Sequence, residues 1–378
     1  MILRGICSYT SNLNIKKTSY PSKGSYPLKI KTINGSFEFE VTKYRTEKGS
    51  TNWLKLTHEK LNSHHESELL QEFAVKYATR LSYQKASELV LERTGTSSLS
   101  DQRIYQIVRT KAAQLVAEQA EIISRNSEKG LSIKALEVDI YDAETKEIMW
   151  FGDGICVAEQ KAKRNGEAKS GKERTTTEMA MLERQDGSYR TIVAGEGINR
   201  VELSRAEVVE EYGEEVEKLA VVAITDGARN LKKEAKEVFG KDVRHILDWY
   251  HLEAKVYQLM TQIAPNKQVK EASQELIINE LWRGMSGKAI EYLAEVEARN
   301  KVKRDELKGY LEKNKEYIIN YEKRKEAKKV IGSGRMEKQN DVIVAHRQKR
   351  KGMSWSKSGS RNLAIVTAHL NQGTNYLQ

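Results

Sequence analysis

The alternation of apolar and polar residues changes period along the chain, and those changes divide it. Near the start, FEFEVTKY (residues 37–44) alternates with period two, which predicts a strand in a Ser-, Thr-, Tyr- and Lys-rich opening of residues 1–60. From about residue 66 the period turns helical. Leu69, Leu70, Phe73, Ala74 and Tyr77 make one apolar stripe, Ala86, Leu89 and Val90 a second, and Ile104, Ile107 and Val108 a third. Gly95 would close the second helix, and Ser98 or Ser100 with Asp101 would open the third.

After Gly130 the pattern becomes that of an α/β protein. LSIKALEVDIYD, IMWFGDGICVAEQ, TTTEMAMLERQ and YRTIVAGEG predict successive strands, with AETKE and QDGS as turns. A helix over 205–219, the apolar strand LAVVAIT ending at Asp226-Gly227, a helix over 229–239 and the strand VRHILDWYHLE follow. Residues 254–330 carry charged helical periodicity almost throughout. The chain then turns through Ile331-Gly332-Ser333-Gly334 into a helix holding Glu337, a basic tail, and a short helix near 363–370. Antiparallel strands followed by alternating helix and strand predict an α/β fold with a mixed sheet. The expected divisions are a small β-containing lead-in (1–60), a helical helix-turn-helix domain (61–130), the first part of the α/β core (131–253), an all-helical segment (254–330), and a C-terminal helix with a basic tail (331–378).

Composition narrows the function classes. The chain has 378 residues and a formal charge of +11. It lacks both an apolar run of about 18 residues and an apolar leader, so no membrane association and a cytoplasmic, nucleoid-associated location are expected. Two cysteines, Cys7 and Cys156, cannot build a disulfide framework or a zinc site of paired cysteines. The charge is local. Residues 321–351 hold eleven basic and four acidic side chains, a surplus of seven. A Lys/Glu run such as 301–329 reads as a solvated helix face. The stretch 347–351 has no acidic neighbour and abuts Gly352 and Trp355, which points to a polyanionic partner. SYQKASELVLERTGTSSLSDQRIYQIVRTK reads as a helix-turn-helix with Gln102, Arg103, Gln106 and Arg109 on the polar side of its second helix. Those residue types suit base edges and phosphates.

Three acids stand where strand or helix ends would expose them: Asp153 in WFGDGICV, Asp226 in AVVAITDGARN, and Glu337 in IGSGRMEKQND. Taken singly, Asp-Gly is a common turn and Glu337 a first-turn acid favoured by the helix dipole. Together they are hard oxygen donors of the kind that bind Mg²⁺ or Mn²⁺. No Ser/His/Asp or Cys/His set occurs in a usable context.

The series GDG (Asp153), AITDGARN (Asp226), ILDWYHLEAKV (248–256) and GSGRMEKQN (Glu337) resembles the DDE transposases of bacterial insertion sequences, over roughly residues 133–370. The resemblance implies an RNase H-like core interrupted by a helical insertion, with Asp153, Asp226 and Glu337 as the catalytic, metal-binding triad for two Mg²⁺ or Mn²⁺ ions. Asp248 and His251 are similar to the family's Asp/Cys-x-x-His signature and would support the triad. Asp139 in ALEVDIYD is the alternative first acid, although the strands that follow favour Asp153. The resemblance further implies double-stranded DNA as partner, both terminal inverted repeats and target DNA. It implies cleavage and strand transfer, and a homodimer or larger synaptic assembly. Arg335, Lys338, Arg347, Lys349, Arg350 and Lys351 would then neutralise phosphates, with Trp355 stacking on a base. Trp249 and Trp282 are expected in the core.

Overall fold

A computed structural model describes residues 22–46, 49–52, 64–129, 133–160, 173–213 and 218–372. The chain forms two compact units, Met1–Val108 and Arg109–Gln378.

In the first unit, β1 (Ser22–Thr32), β2 (Gly35–Thr46) and β3 (Gly49–Asn52) make an antiparallel sheet in that order. The strand expected over 37–44 lies inside β2. Leu28, Ile30 and Val41 form its buried side. Helices α1 (Glu68–Ala78) and α2 (Tyr83–Thr94) follow, and α3 (Asp101–Ser127) begins here. Ser67, Ser82 and Ser100 each accept a backbone N–H three residues on, so each helix starts at a serine cap. Gly95 ends α2 at φ +73°, a left-handed conformation that suits glycine. Of the expected apolar stripe on α1, Leu70 and Ala74 are buried while Leu69 faces out, 62% exposed.

The second unit is built on a five-stranded mixed sheet. Its strands are β5 (Ile148–Ala158), β6 (Arg174–Glu183), β7 (Tyr189–Ile192), β9 (Val221–Thr225) and β10 (Arg244–Leu247), in the spatial order β10-β9-β5-β6-β7. The first three pair antiparallel, and β9 and β10 add in parallel beside β5. This mixed sheet is compatible with an RNase H-like fold. A two-residue parallel pair, β4 (Lys134–Ala135) with β8 (Lys218–Leu219), stands apart from it. One face of the sheet carries α4 (Arg200–Tyr212) and α5 (Arg229–Phe239) over a core that includes Trp150, Leu182, Ala223, Val238 and Phe239.

Between β10 and the C-terminal part lie helices α6 (Trp249–Ile263), α7 (Lys267–Trp282), α8 (Ser286–Glu295), α9 (Lys301–Asn314) and α10 (Tyr321–Glu326). Trp249, Trp282 and Tyr321 pack ring against ring within them, with centroids 4.7–6.3 Å apart. α11 (Gly334–Asn340) runs through a π-helical turn (Asp341–Ala345) into α12 (His346–Gln348), and α13 (Lys357–Gln372) ends the described chain. α11 packs on β5, and α13 on β6 and β7. Among the described residues, no helix is long and apolar enough to cross a membrane.

Several expected elements differ from those observed: YRTIVAGEG is strand only over Tyr189–Ile192, and the helix expected near 363–370 begins at Lys357. Among the described residues of LSIKALEVDIYD only Lys134–Ala135 is strand, paired with Lys218–Leu219, and Asp139 sits beyond it, accepting the Tyr141 N–H. The helix expected over 205–219 is Arg200–Tyr212, since Asn199 caps it earlier by accepting from Val201 and Glu202. The strand VRHILDWYHLE stops at Leu247, because the Asp248 side chain accepts the amides of Tyr250 and His251 and opens a helix instead.

Candidate active site

β5 and β9 run parallel with Phe151 opposite Ile224. Asp153 lies two residues further along β5, on the other face from Trp150, and Asp226 lies in the turn just past the end of β9, near enough that its carboxylate acts on Asp153. That face is the one opposite α4 and α5, because Trp150 and Ala223, one position out of phase, belong to the core under those helices. Glu337 comes from α11, which packs on β5 from this same side.

The two aspartates interact. Burial pushes the Asp153 carboxyl above its ordinary range and the neighbouring Asp226 carboxylate adds to this, against the Gly154 N–H and the Asn340 amide, which favour its ionised form. Asn340 donates Nδ2 to Asp153 Oδ2. Asp226 is fixed by its own turn, with Oδ1 accepting the Ala228 N–H at 2.8 Å. Gly227 takes φ +88°, and a Cβ there would meet Leu247 Cδ1 at 2.8 Å, so the turn carrying Asp226 needs glycine twice over.

Asp248 has a different role. It is fully buried, and its Oδ1 accepts from Tyr250 N at 2.7 Å and His251 N at 3.1 Å. Its Oδ2 accepts from Ser333 N at 2.6 Å and from the Ser333 hydroxyl. Burial opposes its ionisation, but the donors from His251 and Ser333 outweigh burial and hold the carboxyl below its ordinary range. Asp248 thereby clamps the start of α6 to the turn before α11. Gly332 completes the clamp, since a Cβ there would lie 2.4 Å from the Tyr250 ring.

His251 bridges this clamp to Glu337. Nδ1 lies 3.4 Å from Asp248 Oδ2, and Nε2 lies 3.7 Å from Glu337 Oε1, both ion-pair contacts. The Asp248 carboxylate above all, with Glu337 and Asp226, raises the imidazole to about 9 against the cost of burial. Asp248, His251 and Glu337 offer ligand atoms within 4.8 Å of one another. Even so, the Asp248 oxygens are already committed to four donors, and a protonated imidazole has no lone pair to give. The trio therefore suits positioning better than holding a cation, and among the described residues the ligand atoms of Asp153, Asp226 and Glu337 do not gather within that same span.

Sequence reasoning did not find Asn340 or Ser333. Asn340 lies three residues after Glu337, on the same helix face, and that spacing was its signal. Ser333 sits in a Gly-Ser-Gly turn with no distinctive pattern.

The basic residues scatter more than expected. Arg347 is buried, 4.9 Å from the Trp355 ring centroid, with Nη1 2.9 Å from Met353 Sδ. Trp355 is buried as well and donates Nε1 to Gln348 O, so neither side chain is presented to solvent. The reason is a short bridge between Glu159 and Trp355, which draws the tail onto the end of β5. Arg335 lies 4.8 Å from the Tyr189 ring centroid, and Arg350 donates to His346 O at 2.9 Å. Lys338, Lys349 and Lys351 are exposed. In the first unit Arg103 pairs with the buried Glu66 at 2.8 Å and turns toward Gln106, while Gln102 and Arg109 are exposed.

A family model for the Uncharacterised protein family (UPF0236) matches residues 12–378. The chain belongs to the UPF0236 family. Among solved structures, this member is similar to the Drosophila P element transposase strand transfer complex, at 12% identity and a TM-score of 0.27, over 84% of this chain and 81% of that one. No curated protein matches it.

Proposed function

We propose that the protein is a DDE-type DNA transposase of the bacterial insertion-sequence kind. It would bind terminal inverted repeats through α2 and α3, cut DNA, and join the freed end to target DNA. What supports the reading is that Asp226, in the turn at the end of β9, acts on Asp153 in the neighbouring β5, against which the helix bearing Glu337 packs. The Asp226 carboxylate raises the cost of ionising Asp153, which a cation beside them would offset.

Asp153, Asp226 and Glu337 are the residues that would hold Mg²⁺ or Mn²⁺, two ions in the full site, and all three offer hard oxygen donors. When bound, such ions supply Lewis-acid stabilisation for phosphodiester displacement. The chain's own groups prepare the site. Asn340 orients Asp153, the Gly227 turn orients Asp226, and the cationic His251, held by Asp248, orients Glu337. The helices between β10 and α11 would be the insertion, and a homodimer or larger assembly would bring two DNA ends together.

The test is Mg²⁺-dependent cleavage and joining of duplex DNA carrying the element's ends. Asp153→Asn, Asp226→Asn and Glu337→Gln are each expected to lose activity by at least about a thousandfold, since each removes a ligand worth several kcal/mol in the transition state. Duplex binding should persist in all three. Wild-type activity in the Asp153 variant, or no cleavage by the wild-type chain, would sink the reading. Cleavage without joining would make the protein an RNase H-like nuclease.

A further inference from the structure

We infer that a track of phosphate contacts runs from the edge of the sheet at the Asp226–Gly227 turn along α5 to a basic cleft beyond its C-terminal end, and that it holds the backbone of double-stranded DNA. The inference rests on the transposase reading and concerns residues outside the acidic site and outside the basic C-terminal segment.

α5 leaves the turn that follows Asp226 and runs back along the sheet to Gly240, so its 11 residues span ~16 Å. Lys232 stands near its start. Its Nζ donates to Asn314 Oδ1 at 3.1 Å and lies 4.2 Å from the Tyr317 ring centroid, which aims a cation beside Asp226. One turn on is Lys236, exposed. Past the helix end opens a cleft of about 390 Å³ whose walls include Lys134, Arg205, Lys236 and Lys241, with Glu237 and Asp242. Arg205 is pinned there by donating to the Glu237 carbonyl, while the Glu237 carboxylate is drawn to Lys233 at 3.2 Å. Among the described residues, no carboxylate lies within ion-pair distance of the four cations lining this cleft.

The cleft sets four cations against two carboxylates, a surplus of two, and the repulsion between the like charges is visible in their neighbours. Burial first, and then Lys313 and Lys236, lower the pKa of Lys232. The same positive potential reaches His245 on the adjacent strand, which burial, Lys236 and Lys232 depress to about 4. A polyanion relieves this arrangement. Duplex DNA fits its shape, since a ~16 Å track faces about five phosphates of one strand at ~3.4 Å each. A small anion would fill the cleft and leave the ridge along α5 uncompensated.

The experiment measures affinity of the full chain for labelled duplex DNA without divalent cation, over about 50–200 mM salt. The variant Lys134→Ala/Lys236→Ala/Lys241→Ala should reduce the slope of log K against log salt by about 0.9 per lysine. It should also weaken binding at least about tenfold at low salt, with an unchanged melting temperature. Lys236→Glu, a single exposed substitution that leaves the fold intact, should weaken binding more than Lys236→Ala. A slope unchanged in the triple variant, when the wild-type chain does bind, overturns the track and leaves the transposase reading standing. A wild-type chain that binds no DNA overturns both. Equal losses for duplex DNA and polyglutamate would assign the track to an acidic protein and overturn the DNA assignment.

Discussion

Asp153 and Asp248 are both withdrawn from solvent, and their surroundings drive them in opposite directions. Asp248 meets four donors and is held ionised, whereas Asp153 meets burial and a second carboxylate and is pushed toward its neutral form. This contrast separates an acid held by backbone and hydroxyl donors from one beside a second carboxylate, which residue type and spacing alone could not do. Asp153, Asp226 and Glu337 were legible as candidates, because each ends an apolar run or follows a glycine, while their role as a triad is proposed. Asn340 and Ser333 were not, because amide and hydroxyl groups become partners only once the chain has folded. His245 gives a prediction at this scale. Its folded value of about 4 lies below the ordinary 6.5, so the unfolded chain binds the extra proton between those values. Stability is therefore whole above about pH 6.5 and falls as pH drops toward 4, by at most about 3 kcal/mol from this one group. Urea titrations at pH 7 and pH 4.5 should show a smaller loss for His245→Phe than for the wild-type chain. An equal loss in both would show that other groups carry the acid sensitivity.

At the scale of elements, the α/β order and the helical stretches were readable from periodicity, and the errors share a cause. Apolar spacing reports burial, and burial does not require a strand. Ile133, Ala135 and Ile140 are all buried, yet only Lys134–Ala135 finds a pairing partner. The run into DWYH looked continuous because Ile246, Leu247 and Trp249 are all buried, while the side chain that ends the strand, Asp248, does so by a local bond to backbone. The joint between α6 and the turn before α11 follows from that bond. Asp248→Ala would leave the Ser333 amide and hydroxyl without their acceptor in a buried place, at a cost of about 2–4 kcal/mol. Gly332→Ala would force the Tyr250 ring away from a contact of 2.4 Å, at about 1–3 kcal/mol. Because both act on one joint, the double variant should cost less than the sum of the two. Denaturation midpoints for the three variants check this, and strict additivity would mean that the joint is not a unit.

The molecule as a whole carries a charge of +11, and the structure divides that surplus by use. Much of it lies in residues 321–351, but three cations there are internal fastenings, two of them in the run 301–329 expected to be a solvated face. Arg324 is fully buried and makes a two-pronged pair with Glu147, at 2.7 and 3.0 Å, and also donates to Ile140 O. Lys329 donates to the same carboxylate at 2.8 Å, and Arg347 packs on Trp355. Glu147 lies just before β5 and the two cations lie in and after α10, so this triad ties the helical segment to the strand that bears Asp153. Removing one partner of a buried pair leaves an uncompensated charge, which is far costlier than the pair's net worth. Glu147→Ala strands two cations and should cost about 3–5 kcal/mol. Lys349→Ala and Lys351→Ala, at exposed positions in the same sequence neighbourhood, should stay within about 0.5 kcal/mol. Chemical denaturation distinguishes these outcomes. If the lysine variants proved as costly as Glu147→Ala, the division of the surplus into internal and outward-facing charge would be wrong, and with it the view that only the exposed part is available to a polyanion.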